Sequence, residues 1–231
     1  VYVNEQGKDY VAWMWKAGGA ASTTDPAGSL ASTSSVASHG GFSIVSYTGT
    51  GSATTVGHGL SRKPSMFIIK QLTDSGNNWV VYHENSNATP EDYYLRLNTT
   101  NGAYDLDTMF NDTAPTNQVF SIGTSGHVNQ SGSKDYIAYC FAKTTGLIGI
   151  GSYVGNNDAD GSYVVIDDGG TGFKPAWVMI KRNADGYAWH IQNSAMAPYN
   201  PAGGGLNAND TGTESTTGYV DFISNGFKLR T

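Results

Sequence analysis

Lys63-Pro64-Ser65-Met66-Phe67-Ile68-Ile69-Lys70 returns as Lys174-Pro175-Ala176-Trp177-Val178-Met179-Ile180-Lys181, 111 residues later. Downstream, Trp79 and Trp189 stand 110 residues apart; upstream, Ser46-Tyr47 and Ser152-Tyr153 stand 106 apart. The chain therefore holds two copies of one structural unit. In each copy a proline precedes the apolar run, where its missing N–H costs no ladder bond. The runs Met66–Ile69 and Trp177–Ile180 are apolar without alternation, so both faces of each strand are expected to be covered.

A third fragment lies at the start. Val3-Asn4-Glu5-Gln6-Gly7-Lys8-Asp9-Tyr10-Val11-Ala12-Trp13 matches, with one residue inserted, Val128-Asn129-Gln130-Ser131-Gly132-Ser133-Lys134-Asp135-Tyr136-Ile137-Ala138-Tyr139. That motif ends the first full unit. Residues 1–16 are thus expected to be the closing strand of a unit, and residues 2–15 a strand pair turning at Glu5-Gln6-Gly7. Val11, Trp13 and Trp15 alternate onto one strand face, and Tyr10, Ala12 and Met14 onto the other. The cut repeat and the lack of an initiator Met lead us to expect a piece of a longer protein.

Residues 17–41 are rich in Ala, Gly, Ser and Thr and read as an extended linker, since they carry too little apolar area to fold alone. Residues 42–145 form the first unit and 146–231 the second. Each is a series of short β-type runs bounded by Gly, Asn, Asp, Ser or Pro. The expected fold is all-β, with two repeated antiparallel, jelly-roll-like β-sandwich units and no convincing helix. The second unit lacks its own Lys-Asp-Tyr strand. That leaves an edge of unpaired N–H and C=O groups, which Lys8–Trp15, of this or a neighbouring copy, is a candidate to fill.

Composition narrows function. Only 14% of residues are charged and the net charge is −6, with no basic run. Such a surface suits neither nucleic acid nor an anionic membrane. No apolar run approaches the roughly 20 residues of a membrane span. Cys140 is the single cysteine, so no intrachain disulfide exists, and its apolar setting predicts a buried, inert thiol.

Several stretches resemble a repeat family of unassigned function: Val11–Gly19, Gly41–Gly51, Val56-Gly57-His58-Gly59-Leu60, Tyr136–Ala142, Gly151–Asn156 and Gly172–Trp177. These are similar to domains in predicted tail, fibre and other virion proteins of tailed phages, marine ones especially. The resemblance implies a non-enzymatic virion part: a tail fibre, spike or capsid decoration on the virion surface. It would assemble with copies of itself and with other virion proteins, and contact host cell-surface glycans. A bacterial extracellular adhesin or filament subunit is the alternative, and a glycan depolymerase the third reading.

No nucleophile motif, metal-binding helix motif or phosphate loop occurs, and the five histidines show no metal-ligand spacing. Asp105/Asp107 and Asp167/Asp168 could supply a carboxylate pair for glycoside hydrolysis, or serve as turn residues. Asn156-x-Asp158-x-Asp160-Gly161, continuing to Asp167, matches oxygen ligands at positions 1, 3, 5 and 12 of a calcium loop. Ca²⁺ is therefore the candidate ion; a plain hairpin turn is the competing reading. The candidate ligand-binding residues are Trp79, His83, Tyr187, Trp189, His190 and Tyr199. Aromatic faces beside amides suit sugar stacking, but tryptophans at matching repeat positions also suit core packing. Five Asn-x-Ser/Thr sequons are what an Asn- and Thr-rich chain gives by chance.

Overall fold

The computed structural model describes residues 3–21, 25–196 and 199–230. It is all-β, and no helix among the described residues exceeds four residues. In the first unit, β1 (Ser32–Val36), β2 (Phe42–Thr48), β3 (Thr54–Gly57), β4 (Met66–Gln71) and β5 (Val80–His83) come first. They are followed by β6 (Tyr93–Arg96), β7 (Tyr104–Asp105), β8 (Val119–Ile122) and β9 (Asp135–Phe141). A seven-stranded antiparallel sheet runs β1-β2-β9-β4-β5-β6-β7. The ribbon β3–β8 and two short helices, α1 (Asp107–Phe110) and α2 (Gly126–Asn129), cover one face of it.

Alternation decides which side chains fill the space between these layers. Phe67 and Ile69 of β4, Val80 and Tyr82 of β5, and Tyr136, Ala138 and Cys140 of β9 point inward onto Val56, Phe120 and Ile122 of the ribbon. Phe67 stacks on Tyr82 at 4.7 Å and on Phe120 at 4.9 Å. Cys140 is fully buried and its thiol is pushed up to about 12 by burial, as expected of an inert core residue. Asn129, also fully buried, accepts from the Thr50 N–H (2.8 Å) and donates to the Ser52 and Gly123 carbonyls (2.7 and 2.8 Å). Its amide pins the turn after β2, and its burial closes that sequon to a glycan.

The second unit comprises β10 (Asp160–Val165), β11 (Trp177–Lys181), β12 (Trp189–Asn193), β13 (Gly205–Asn207), β14 (Val220–Ile223) and β15 (Gly226–Arg230). Two three-stranded sheets, β10-β15-β14 and β11-β12-β13, face each other. Val178, Val220, Phe222 and Phe227 lie between them. Gly226 of β15 lets β10 approach closely, because a Cβ there would stand 2.0 Å from the Val164 carbonyl oxygen.

The repeat is structural down to register. Met66 pairs His83 and Ile69 pairs Val80; at the matching offset, Trp177 pairs Asn193 and Ile180 pairs His190. Val81 pairs Leu95 as Ile191 pairs Leu206. So β4–β5–β6 and β11–β12–β13 are equivalent strands.

Two expectations are corrected. The supposed linker 17–41 contains β1, which pairs along its whole length with β2, and Leu30 bridges Val56. Small hydroxyl side chains suit this edge: Ser32 Oγ donates to the Gly57 carbonyl at 3.0 Å, and Thr33 Oγ1 meets Ser46 Oγ at 2.7 Å. Hydrogen bonding and contact with a neighbouring layer thus replace the apolar area the stretch lacks. Second, Lys8–Trp15 forms no strand within the chain, although its sequence matches β9. Tyr2, at the start of the expected strand pair, lies outside the described residues.

The two units meet through equivalent faces. Ile68, Val81, Leu95 and Trp79 of the first lie against Met179 and Trp189 of the second. The buried Trp189 donates its indole N–H to the Arg96 carbonyl at 2.9 Å. Main-chain bonds seal the rim, from Ala103 N–H to the Asn183 carbonyl (2.8 Å) and from Gly186 N–H to the Thr100 carbonyl (3.0 Å). Removing a buried indole leaves a cavity as well as lost transfer energy. Trp189→Ala should therefore lower the unfolding free energy by about 3–5 kcal/mol. Tyr187→Ala, two residues away and exposed, should cost under about 1 kcal/mol in the same urea titration.

Candidate functional site

Equivalent strands carry different side chains on one face, and that difference makes the site. In the first unit the inward positions of β5 and β6 are Val80, Tyr82 and Tyr94, all core. Their counterparts in β12 and β13 are His190, Gln192 and Gly205. Arg96, whose guanidinium packs on Tyr94 and Tyr104 at 5.2 and 5.4 Å, corresponds to Asn207. Replacing two tyrosines by an amide and a glycine empties the space that aromatic rings fill in the first unit. The result is a cavity of about 180 Å³ lined by His190, Gln192, Asn207, Ser215 and Tyr219.

The walls are fixed by the surrounding backbone. Gly205 and Ser215 exchange main-chain hydrogen bonds at 3.0 and 2.8 Å, fastening the loop after β13 to the sheet. Gln192, 2% exposed, donates to the Ala202 carbonyl at 3.0 Å. Asn207 donates to Asp210 at 2.8 Å. With the Gly212 N–H, that bond holds the Asp210 carboxyl below its usual range. The His190 and Tyr219 rings meet at 5.3 Å and 41°, forming an aromatic rim above amide and hydroxyl groups. Such a cavity suits one small polar ring or a chain end. It is well below the roughly 300–1,000 Å³ typical of drug-sized sites.

A wider groove of about 440 Å³ runs beside Ser32, Ser46, Thr48 and Asp135. Its polar groups already pair with one another, Thr48 donating to Asp135 at 2.9 Å, so it offers a ligand little.

Of the six ligand residues expected from sequence, only His190 lines the cavity. Trp189 and Trp79 belong to the layer between units, where Trp79 stacks on Tyr139 at 6.5 Å. His83 accepts from the Asn85 N–H at 3.1 Å, and burial lowers its pKa. Tyr187 is covered on one face by the Arg182 guanidinium at 4.0 Å, and Tyr199 is 83% exposed. The tryptophans are thus packing residues, as their matching positions allowed. Gln192, Asn207, Ser215 and Tyr219 were missed. Their signal was a polar residue where the other copy has an apolar one. It becomes readable only once Tyr94-Leu95-Arg96 is aligned with Gly205-Leu206-Asn207, a match too weak to find by eye.

The calcium loop is not assembled. Residues 160–165 are strand β10, so Asp160 and Asp167 stand at opposite ends of a run spanning roughly 23 Å when extended. Asn156 Oδ1 and Asp158 Oδ1 instead accept backbone N–H groups two residues on, at 3.3 and 2.9 Å. Asp160 pairs with Lys228 and Arg230, and Asp167 with Lys143 at 2.5 Å. No group of three His, Cys, Asp or Glu that could hold a metal exists among the described residues. Asp168 is a turn residue, accepting from Gly146 and Gly170 at 2.8 Å and from Gly172 at 3.2 Å.

A family model matches residues 1–231. The chain belongs to the family described as Domain of unknown function (DUF7483). No curated protein and no solved structure matches it. Family membership therefore spans both units and the segment before them. No helix among the described residues is long and apolar enough to cross a membrane.

Two outcomes are expected. The thermal midpoint should be the same in EDTA and in millimolar calcium; a rise that grows with free calcium would restore the metal loop. Backbone N–H groups, Gly146 first, hold the Asp168 carboxyl below its usual range. Its stabilisation is therefore present above the ordinary aspartate value of about 4 and is lost as pH falls through the lower folded value. Asp168→Asn should have a lower midpoint at neutral pH and a shallower further fall on acidification than the parent.

Proposed function

We propose that the protein is a non-enzymatic structural and adhesion module of a phage virion, whose second unit carries a contact site for cell-surface glycans. The observation that carries the binding reading is the cavity at His190 and Asn207, opened where the first unit has core. A sugar offers an apolar ring face and a rim of hydroxyls. An aromatic rim over amides, hydroxyls and a histidine complements both. One shallow site gives weak affinity, and many copies on a particle multiply it.

The virion part of the reading rests on the likeness to phage tail and fibre domains. Two sandwiches packed face to face, with few charges, suit a repeated building block at a virion surface, alongside copies of itself and other virion proteins. Of the two candidate carboxylate pairs, the second is engaged elsewhere, Asp167 by Lys143 and Asp168 by three backbone N–H groups.

Saturation-transfer NMR with a panel of neutral and acetamido monosaccharides and disaccharides tests the binding site. At least one sugar should bind. His190→Ala and Asn207→Ala should each weaken it about five- to tenfold, the worth of roughly one hydrogen bond. If no sugar binds, or if both variants bind as the parent does, the glycan reading fails.

A further inference from the structure

In the first unit β4 is hydrogen-bonded on both edges, to β5 on one side and β9 on the other. Its equivalent, β11, pairs with β12 in the same register, but no strand among the described residues lies on its other edge. The next strand position is empty too. Residues 151–155 correspond to positions 45–49, the second half of β2 and the residue after it, and β2 pairs with β9 in the first unit. They form no strand, and Val154 is 88% exposed. Among the described residues, the second unit is thus open where the first has β9.

Lys8–Trp15 repeats the sequence of that strand but is irregular here, with Met14 90% exposed. Its end is already in place. The Trp15 ring lies 5.5 Å from Trp177 and 6.3 Å from Phe141, edge-on to both. In the first unit Phe141 stands opposite Met66. By the repeat, Trp15 corresponds to Phe141 and Trp177 to Met66. Trp15 therefore touches the residue that the β9 register assigns to it.

We propose that Lys8–Trp15, irregular in this structure, closes the second unit of its own chain by laddering onto the open edge of β11. It adds antiparallel to β11 with Trp15 opposite Trp177, Trp13 opposite Met179 and Val11 opposite Lys181. This register sends each side chain to a matching environment. Trp13 and Trp15 join the layer between the units, where Tyr139 and Phe141 already lie. Ala12 and Met14 cover Ile180 and Val178, as Ala138 and Cys140 flank Ile69 and Phe67. A slip by one residue would reverse every one of these placements. The ladder satisfies the open N–H and C=O groups of β11, and its far side offers a partner to residues 151–155. The occupant is the chain's own segment because the Gly19 carbonyl, four residues after Trp15, accepts from Ser35 Oγ of β1 at 2.8 Å. That tether keeps the strand beside its slot at high effective concentration.

Paired cysteines test this in the full chain. With Met14→Cys and Val178→Cys, oxidation should give an intrachain disulfide in most molecules, since residues directly opposite in a ladder fall within disulfide reach. The out-of-register pair Tyr10→Cys with Val178→Cys should give at least about tenfold less. Disulfide-linked dimers would mean that another copy donates the strand. No linkage above the out-of-register pair would mean that the slot stays empty. Either result overturns the proposal. A second measurement does not depend on cysteine pairs. In Ala12→Pro, which cannot ladder at that position, the β11 amides should exchange with solvent at least about tenfold faster than in the parent. Equal exchange would overturn the proposal as well.

Discussion

The ladder that β9 makes on both its edges is the constraint on which the first unit depends. Through Phe42–Thr48 on one side and Met66–Gln71 on the other, it joins two groups of strands into one seven-stranded sheet. A strand bonded on both sides satisfies all its main-chain groups, leaving side chains free to divide between two faces. Tyr136, Ala138 and Cys140 take the inner face and Tyr139 and Phe141 the outer. The second unit shows the same design without that strand. Among the described residues its sheets have three strands each, and the segment matching β2 is irregular.

Packing between the units follows from the outer face. Because β4 and β11 are apolar on both sides, each unit buries one face against its own ribbon or sheet and offers the other to its twin. Burial at the second face accounts for Trp79 and Trp189, whose large rings would otherwise stand in water. The same repeat leaves one place free to diverge, the inner face of β12 and β13. There the core is small enough to lose two aromatic side chains and keep a cavity.

Much of this was legible in the sequence, for physical reasons. The Lys-Pro strands announced themselves because an apolar run behind a proline has few alternatives, and the all-β class followed from short runs and turn residues. What misled was local. Ser32–Val36 reads as linker because edge strands need little apolar area when hydroxyls bond to the next layer. Asn156–Asp167 reads as an ion loop because spacing says nothing about whether the intervening residues are bent or extended. Here valines at positions 164 and 165, favoured in strands, drew residues 160–165 into β10. The site was hidden because its residues are ordinary on their own and unusual only beside their repeat partners.

Contact through equivalent faces has a consequence for the origin and robustness of the fold. Two like surfaces meeting in this way are what a symmetric dimer presents. Joining both copies in one polypeptide turns such an association into an intramolecular one, free of the translational and rotational entropy that separate chains must lose. The contact between the units then persists at any dilution. Each copy is also released from identity with the other, so one can keep an aromatic core while its twin acquires polar chemistry in the same place.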